Sequence, residues 1–380
     1  MDETLTCPTC DFSSPFVSIV IPAHNAEVDL AACLGSLAGH VPLSHEIIVI
    51  DDASTDATAE VASSFGARLL SKKVKSGPAS CRNWGVHEAR GEWIFFIDAD
   101  VMVHPESIET AIRHISRHSE LAALFGSYDD RPHDPSKVSQ FRNLLHHHVH
   151  QTGDFVDNLR RAHTFWTGCG WIRRDVFLSL GGFDHWRYRK PAIEDIEFGY
   201  RLVAAGHPIA LTRDVLCKHR KKWTLRSMLR TDFMQRGLPW SLLLLRSKRE
   251  ANDLNVDRRQ KVAALSAAAF WPSLLLSLID PAIGLLAVFT VILLMVSINQ
   301  RFYKLLWRQG GIRLAAAGLP LMHLYYLVCL SSYATAIMVW LMVDRLGIGR
   351  KMADSMALGQ GPHLSQSAKE SRLRHELQQP

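Results

Sequence analysis

From Val262 the chain changes character. Val262 to Ile279 is 18 residues without a charged side chain, Asp280-Pro281 interrupts, and Ala282 to Asn299 is 18 more. As one helix this stretch would be roughly 57 Å long at about 1.5 Å per residue, nearly twice a hydrocarbon core of about 30 Å. A hairpin turning at Asp280-Pro281 fits better. Leu314 to Val343 adds 30 uncharged residues, and the part after Pro320 is long enough for a third crossing. The expectation is a membrane region over 262–343 with about three helices, 262–279, 282–299 and 320–343. A soluble core helix explains any one of these segments but not all three together. Arg246, Lys248, Arg249, Arg258, Arg259 and Lys261 precede the first segment, and Arg301, Lys304, Arg308 and Arg313 separate the second from the third. By the positive-inside tendency both stretches are expected in the cytosol. Arg345, Arg350 and Lys351 after the third segment conflict with three full crossings; an interfacial placement of one short arm would remove the conflict.

The half before Val262 alternates strand-like and helix-like patterns. Phe16–Ile21 is a β-branched run expected to stop at Pro22. Glu46–Ile50, Arg68–Leu70 and Trp93–Ile97 read as further strands. Asp29–Ala38, Thr55–Phe65, Pro78–Ala89 and Ile193–Ala205 read as helices. Strands apolar on both faces, each followed by a helix, describe a largely parallel sheet covered on both sides, and such sheets bind ligands beyond the carboxyl ends of their strands. With 47% hydrophobic residues the chain is not a disordered one. A net charge of +6 over 380 residues does not point to nucleic acid. The seven cysteines are odd in number and follow no disulfide framework. Cys7 and Cys10 form a lone CxxC in a polar tail, which is weak support for a metal or redox site. Residues 1–14 contain no apolar core of a signal peptide, so the N-terminal domain is expected to stay in the cytosol.

Polar clusters follow the strand patterns one by one: Pro22-Ala23-His24-Asn25, Asp51-Asp52-Ala53-Ser54-Thr55-Asp56, and Asp98-Ala99-Asp100. Gly77-Pro78-Ala79-Ser80-Cys81-Arg82-Asn83 opens a helix. Two carboxylates one residue apart at a strand end suit a hard divalent cation, which shares oxygen ligands with phosphates. Read in order, VSIVIPAHN, IIVIDDASTD, GPASCRNWG, WIFFIDAD, GGFD and IEDIEFGYRL resemble the family 2 glycosyltransferases, inverting enzymes of the GT-A fold that use nucleotide-sugar donors. The resemblance covers about residues 15–225. Each motif is weak alone; the ordered set is specific.

The resemblance implies roles residue by residue. Pro22, Ala23, Asn25 and Asp52 would contact the nucleoside, Arg82 the base or a phosphate, and Asp98 the ribose and metal. Asp100 would bind Mg2+ or Mn2+, with Asp98 and His219 as further ligands. Asp195 matches the general base that deprotonates the acceptor hydroxyl; Glu194, Trp166 and Gly168 would face the acceptor. Each has a structural alternative: a turn or helix cap for Asp52, an acidic first helical turn for Glu194-Asp195. His146-His147-His148 and His150 suggest an acceptor-side helix more than a metal cluster, since only His146 and His150 share a helix face. Gln235-Arg236-Gly237-Leu238-Pro239-Trp240 misses the QxxRW spacing of processive synthases.

The implied organisation is a tail (1–14), a GT-A domain (15–245), a basic linker (246–261), the membrane region (262–343) and a polar tail (344–380). The implied protein is a multi-pass enzyme of the plasma (inner) membrane with a cytosolic catalytic domain. It would transfer one sugar from a UDP- or GDP-sugar to a lipid-linked or membrane-associated acceptor, using a divalent cation. The alternatives are a processive exopolysaccharide synthase and an inactive scaffold of the same fold.

Overall fold

The structure, a computed structural model, describes residues 15–41, 43–247 and 258–349. Cys7, Cys10, the first fourteen residues, most of the basic linker and the tail beyond residue 349 lie outside the described residues. In chain order the elements are β1 (Val17–Ala23), α1 (Glu27–Leu37), β2 (His45–Asp51), α2 (Thr58–Ser64), β3 (Arg68–Ser71), α3 (Pro78–Glu88), β4 (Trp93–Ile97) and β5 (Val101–Val103). There follow α4 (Pro105–Arg117), β6 (Ala123–Tyr128), α5 (Lys137–Gln151), β7 (Leu159–Ala162), β8 (Cys169–Arg173), α6 (Arg174–Ser179), α7 (Glu194–Ala204) and β9 (Ile209–His219). The helical end comprises α8 (Leu225–Arg230), a π-helical turn Thr231–Gly237, α9 (Leu238–Ser247), α10 (Arg258–Leu276), α11 (Pro281–Ile298) and α12 (Gln300–Val339). A second π-helical turn, Trp340–Arg345, continues α12.

The strands form one mixed sheet in the order β3-β2-β1-β4-β8-β6-β9-β5, with β7 paired to β9. β1 is parallel to both β2 and β4, and β2 to β3. Beyond β4 the sheet turns mixed, because β8 runs antiparallel to its neighbours β4 and β6. Side chains alternate along β1 as the pleat requires: Val17, Ile19 and Ile21 enter the core under α1 and α4, and Val20 enters the core under α3, α6 and α7. β1 does not end before Pro22; it pairs with β2 through Ala23. Pro22 is tolerated because β1 pairs with β4 only from Val17 to Val20, so the missing N–H lies beyond that ladder.

The chain turns between α10 and α11 where the apolar pattern predicts it. Pro281 occupies the first helical turn, and the Asp280 carboxylate accepts from Ala282 N and Ile283 N, both at 3.1 Å. The hairpin is poorly covered: Leu278, Ile279 and Phe289 are exposed. Among the described residues two helices, Pro281–Ile298 and the stretch Gln300–Arg345, are long and apolar enough to cross a membrane by length and composition. This is one fewer than expected, since the first turn of α10 carries Arg258, Arg259 and Lys261. α12 is broken at Gly310-Gly311, where the backbone leaves helical geometry. A third core joins the two halves, with Phe141 and Leu144 of α5 against Ala263 of α10 and Phe302 and Met322 of α12.

Candidate active site

The clusters at the strand ends meet. Pro22 and Ala23 ending β1, Asn25 after it, Asp52 after β2, Asp98 and Asp100 after β4, and His219 ending β9 line one cavity of about 1520 Å³ with Arg82, Trp166, Thr167, Glu194 and Asp195. Among the described residues no disulfide forms, and Cys33, Cys81, Cys169 and Cys217 are buried free thiols.

At the first two strand ends the loops hold one another. Asn25, at a positive φ of 49°, accepts from Thr55 N at 2.8 Å while its own N–H donates to Ser54 Oγ at 2.9 Å. Asp52 does not cap the following helix; ahead of that helix Asp56 accepts from Thr58 N and Oγ1. Instead Asp52 Oδ1 accepts from Ser76 N at 2.7 Å and its Oδ2 from Gly77 N at 2.8 Å, so this carboxylate fixes the loop that enters α3. Gly77 is obligatory there: its φ is +88°, and a Cβ would lie 2.3 Å from Arg189 O. Arg82 is buried and bridges two carboxylates, with Asp98 Oδ1 at 2.6 Å and Glu194 Oε1 at 3.0 Å. Its guanidinium therefore joins acids from the end of β4 and the start of α7.

Asp100 Oδ2 lies 3.4 Å from His219 Nε2, and His219 Nδ1 lies 2.9 Å from Asn143 Oδ1. With Nδ1 set against that amide oxygen, the ring presents its Nε2 to the carboxylate. Burial opposes ionisation of Asp100, but the His219 hydrogen bond and charge, with Lys221, hold its carboxyl below the ordinary value. Among the described residues no three His, Cys, Asp or Glu side chains are grouped closely enough to enclose a metal. Asp98 is turned to Arg82. The donors that fit a divalent cation are thus Asp100 and His219, an oxygen and a nitrogen with a positioned outer partner.

Asp195 lies in the first turn of α7. Its carboxyl is pushed up to about 7, first by burial and then by the Glu194 charge, against the opposing Arg82. Its Oδ2 accepts from Thr167 N at 3.2 Å. Glu194 is buried and accepts from Ala192 N through its second oxygen. Gly168 makes room for a neighbour: a Cβ there would lie 2.3 Å from the Trp166 ring. Next to this indole stand His146 and His150, with ring centroids 4.6 and 5.5 Å away. Burial pushes His150 down to about 3 and His146 well below its usual value, so these two rings supply neutral aromatic surface. Tyr128 stacks on His219 at 4.4 Å.

Several lining residues escape a motif reading. Lys75, Arg189 and Lys190 bring cations to the rim, and the RKP ahead of the acidic pair is the signal that would have marked two of them. Arg142, Asp232 and Trp223 also face the cavity, as do Trp240 and Leu244 of α9 and Tyr325 and Tyr333 of α12.

Residues 18–181 match the family model for Glycosyl transferase family 2. The chain is 30% identical over 217 residues to the glycosyltransferase AglE of Haloferax volcanii, covering 54% of this chain and 67% of that one. The chain belongs to glycosyl transferase family 2. This family 2 chain is also 32% identical over 229 residues to validoxylamine A glucosyltransferase of Streptomyces hygroscopicus subsp. limoneus, across 53% of its own length and 50% of that protein's. It therefore spans about half the length of that relative. Among solved structures it is similar to mannosyltransferase PcManGT of Pyrobaculum calidifontis, in complex with GDP-Man and Mn2+, with a TM-score of 0.52 at 16% identity over 84% of this chain and 87% of that one. That likeness establishes the fold, the GT-A type that the sequence motifs imply.

Proposed function

We propose that this family 2 chain transfers a single sugar, with inversion, from a nucleoside diphosphate sugar to a membrane-associated acceptor. One observation supports the reading above others: Asp52, Asp98, Asp100, Glu194 and Asp195, spread over 144 positions of sequence (195 − 52 + 1), line a single cavity. Asp195 takes the proton from the acceptor hydroxyl as its oxygen attacks the anomeric carbon, and a carboxyl near 7 suits that task at neutral pH. Arg82 and Glu194 fix the charge around it. Lys75, Arg189 and Lys190 offer positive charge to the departing diphosphate. Asp100 and His219 would hold a divalent cation, whose bound charge stabilises that leaving group. The uncovered α10–α11 hairpin supports a chain seated in a membrane, and the helix-lined side of the cavity supports an acceptor drawn from it. The mannosyltransferase of similar fold was solved with GDP-Man and Mn2+, which favours the same kind of donor and ion here.

The test is a panel of UDP- and GDP-sugars with Mn2+, offered to the purified full chain while nucleotide release and product size are followed. The expected result is release with one donor class, a single added sugar, and loss of at least about a hundredfold in Asp100→Ala. Wild-type turnover in that variant would remove Asp100 from the reaction, and a ladder of products would replace single addition by processive synthesis.

A further inference from the structure

Apart from the catalytic cavity, a second cavity of about 320 Å³ opens where α5, β9 and α12 meet. Its size falls at the lower end of the range of about 300–1,000 Å³ common for small-ligand sites. Arg213 of β9 and Arg301 of α12 line it with His147 and His148 of α5, and none of its lining residues is acidic. Both arginines are exposed, and among the described residues neither forms an ion pair. Asp214, the acid next to Arg213, is taken up by His114 Nε2 at 3.0 Å and by Asn158 Nδ2 at 3.1 Å.

The fold holds these cations in place. Phe302 is fully buried, its ring centroid 5.4 Å from that of His148 and 5.5 Å from that of Phe141. The first turn of α12 is thereby locked onto α5, with Arg301 at the mouth of the cavity. Arg213 accepts through its carbonyl from Gln151 Nε2 at 3.0 Å, and its guanidinium stands 4.7 Å from the centroid of Phe155. Open carbonyls at the C-terminal end of α5 would oppose an anion. Two of them are occupied: His148 O accepts from Thr152 Oγ1 at 2.6 Å, and Thr152 O accepts from Arg160. Burial first, then the charges of His147 and Arg301, push His148 down to about 4, so positive charge is in excess here.

A concave site with two guanidiniums and no carboxylate suits a phosphate, which arginine meets with paired N–H donors. Its position names the source. The apolar helix α11 ends at Ile298, and Arg301 follows three residues later. Lys304 and Trp307 are exposed on the same stretch of α12, the combination of cations and indole found at a membrane surface. Charge rules for membrane orientation account for the cations of α12 alone. They do not account for Arg213, which comes from β9, 88 positions earlier (301 − 213), and closes the same cavity. We propose that Arg213 and Arg301 form a site for the phosphate of an anionic phospholipid head group, separate from the catalytic cavity. A choline head group would bring its own cation to a place with no carboxylate to receive it, so phosphatidylglycerol is favoured over phosphatidylcholine. A bound head group ties the catalytic domain, through β9, to the bilayer surface beside α12. The inference rests on the seating of the α10–α11 hairpin in a membrane and not on the transfer chemistry.

The experiment is native mass spectrometry of the full chain released from detergent micelles, with dioleoyl phosphatidylglycerol or dioleoyl phosphatidylcholine added. The expected result is that the wild-type chain binds phosphatidylglycerol about tenfold more tightly or better, and that this preference is largely lost in Arg213→Gln and in Arg301→Gln. Thermal melting in lipid-free detergent identifies a variant that has not folded, and Arg301→Gln carries the decision if Arg213→Gln fails. Lys304→Gln, which removes an exposed cation of the same helix outside the cavity, should keep the preference. Equal affinity of the wild type for the two lipids overturns the site. An unchanged preference in the folded arginine variants overturns it too, and an equal loss in Lys304→Gln replaces it by diffuse surface charge. Displacement of the lipid by equimolar inorganic phosphate makes this a site for free phosphate and overturns the lipid assignment. Flotation of the wild type with phosphatidylcholine liposomes tests the hairpin separately. Failure to float removes the membrane reading, whereas flotation without lipid preference removes this site alone.

Discussion

Replacing Asp195 by asparagine should move activity and stability in opposite directions. The folded chain holds this carboxyl near 7 instead of its ordinary 3.8. A rise of that size corresponds to ~4 kcal/mol, an upper bound on what ionising the buried group costs the fold. The sign follows from which state binds the proton. Below about pH 4 the carboxyl is protonated folded or unfolded, and the two chains should melt alike. Between about pH 4 and 7 the unfolded chain has released the proton while the folded one retains it, so the wild type loses stability as pH rises. Above about pH 7 the whole cost is present, and asparagine avoids it while keeping an oxygen for Thr167 N. Melting curves of both chains across this range should show the variant gaining several degrees on the alkaline side only. Transfer should fall by about 10²–10⁴, the usual contribution of a positioned base, and wild-type transfer should rise with pH through about 7. A variant that still transfers sugar, or a melting difference that does not change with pH, would refute the assignment of Asp195 as a base poised by its surroundings.

Arg82→Gln leaves the buried Glu194 carboxylate uncompensated and frees the half-buried Asp98, so a loss of about 3–5 kcal/mol in denaturant unfolding is expected. Because Arg82 holds the Asp195 carboxyl down, the same variant should move the midpoint of the pH–rate profile above that of the wild type. Gly168→Ala brings a methyl within 2.3 Å of the Trp166 ring; a cost of about 1–3 kcal/mol and a raised acceptor KM with the donor KM little changed are expected from melting and steady-state kinetics. Phe289, exposed on α11, tests the hairpin: arginine there should oppose insertion by about 2.5–3.5 kcal/mol, read as a loss of liposome flotation of roughly a hundredfold, and unchanged flotation would remove the hairpin from the membrane.

The first four strands and the rim they share were legible because their signals are local. A β-branched run followed by an aspartate marks both a buried strand and its polar end, and Ile47–Ile50 before Asp51 is the clearest instance. What the letters hide is pairing across long separations. Arg82 reads as a nucleotide ligand from its motif, yet in the fold its partners are Asp98 and Glu194, the latter 112 residues away. Asp52 likewise spends both oxygens on the loop at Ser76 and Gly77. Pro22 misleads for a related reason, because whether a proline ends a strand depends on how far the neighbouring strand extends. Arg142 and Asp232 lie in no recognisable motif and become meaningful only once α5 and the π-helical turn face each other.

The helical end is more than a tether. Sites for small ligands commonly measure about 300–1,000 Å³, and the cavity here is about 1520 Å³. The additional lining comes from α9, α10 and α12, through residues such as Leu244, Leu265 and Tyr333. These helices are fastened to the rest by specific contacts. Gly237 lies so close to Ser332 that a Cβ would come within 2.5 Å of its hydroxyl oxygen, and the buried pair Arg246–Asp344, at 2.8 Å, ties the end of α9 to the end of the long helical stretch. Tyr326 joins α12 to Gln260 of α10 and to Asn299 through its hydroxyl. A wall locked in this way sets the distance between the sheet rim and the apolar hairpin. Were the proposed acceptor anchored in a bilayer by an apolar tail, its polar head would need only to cross that fixed gap, and the fold itself would select for head-group length.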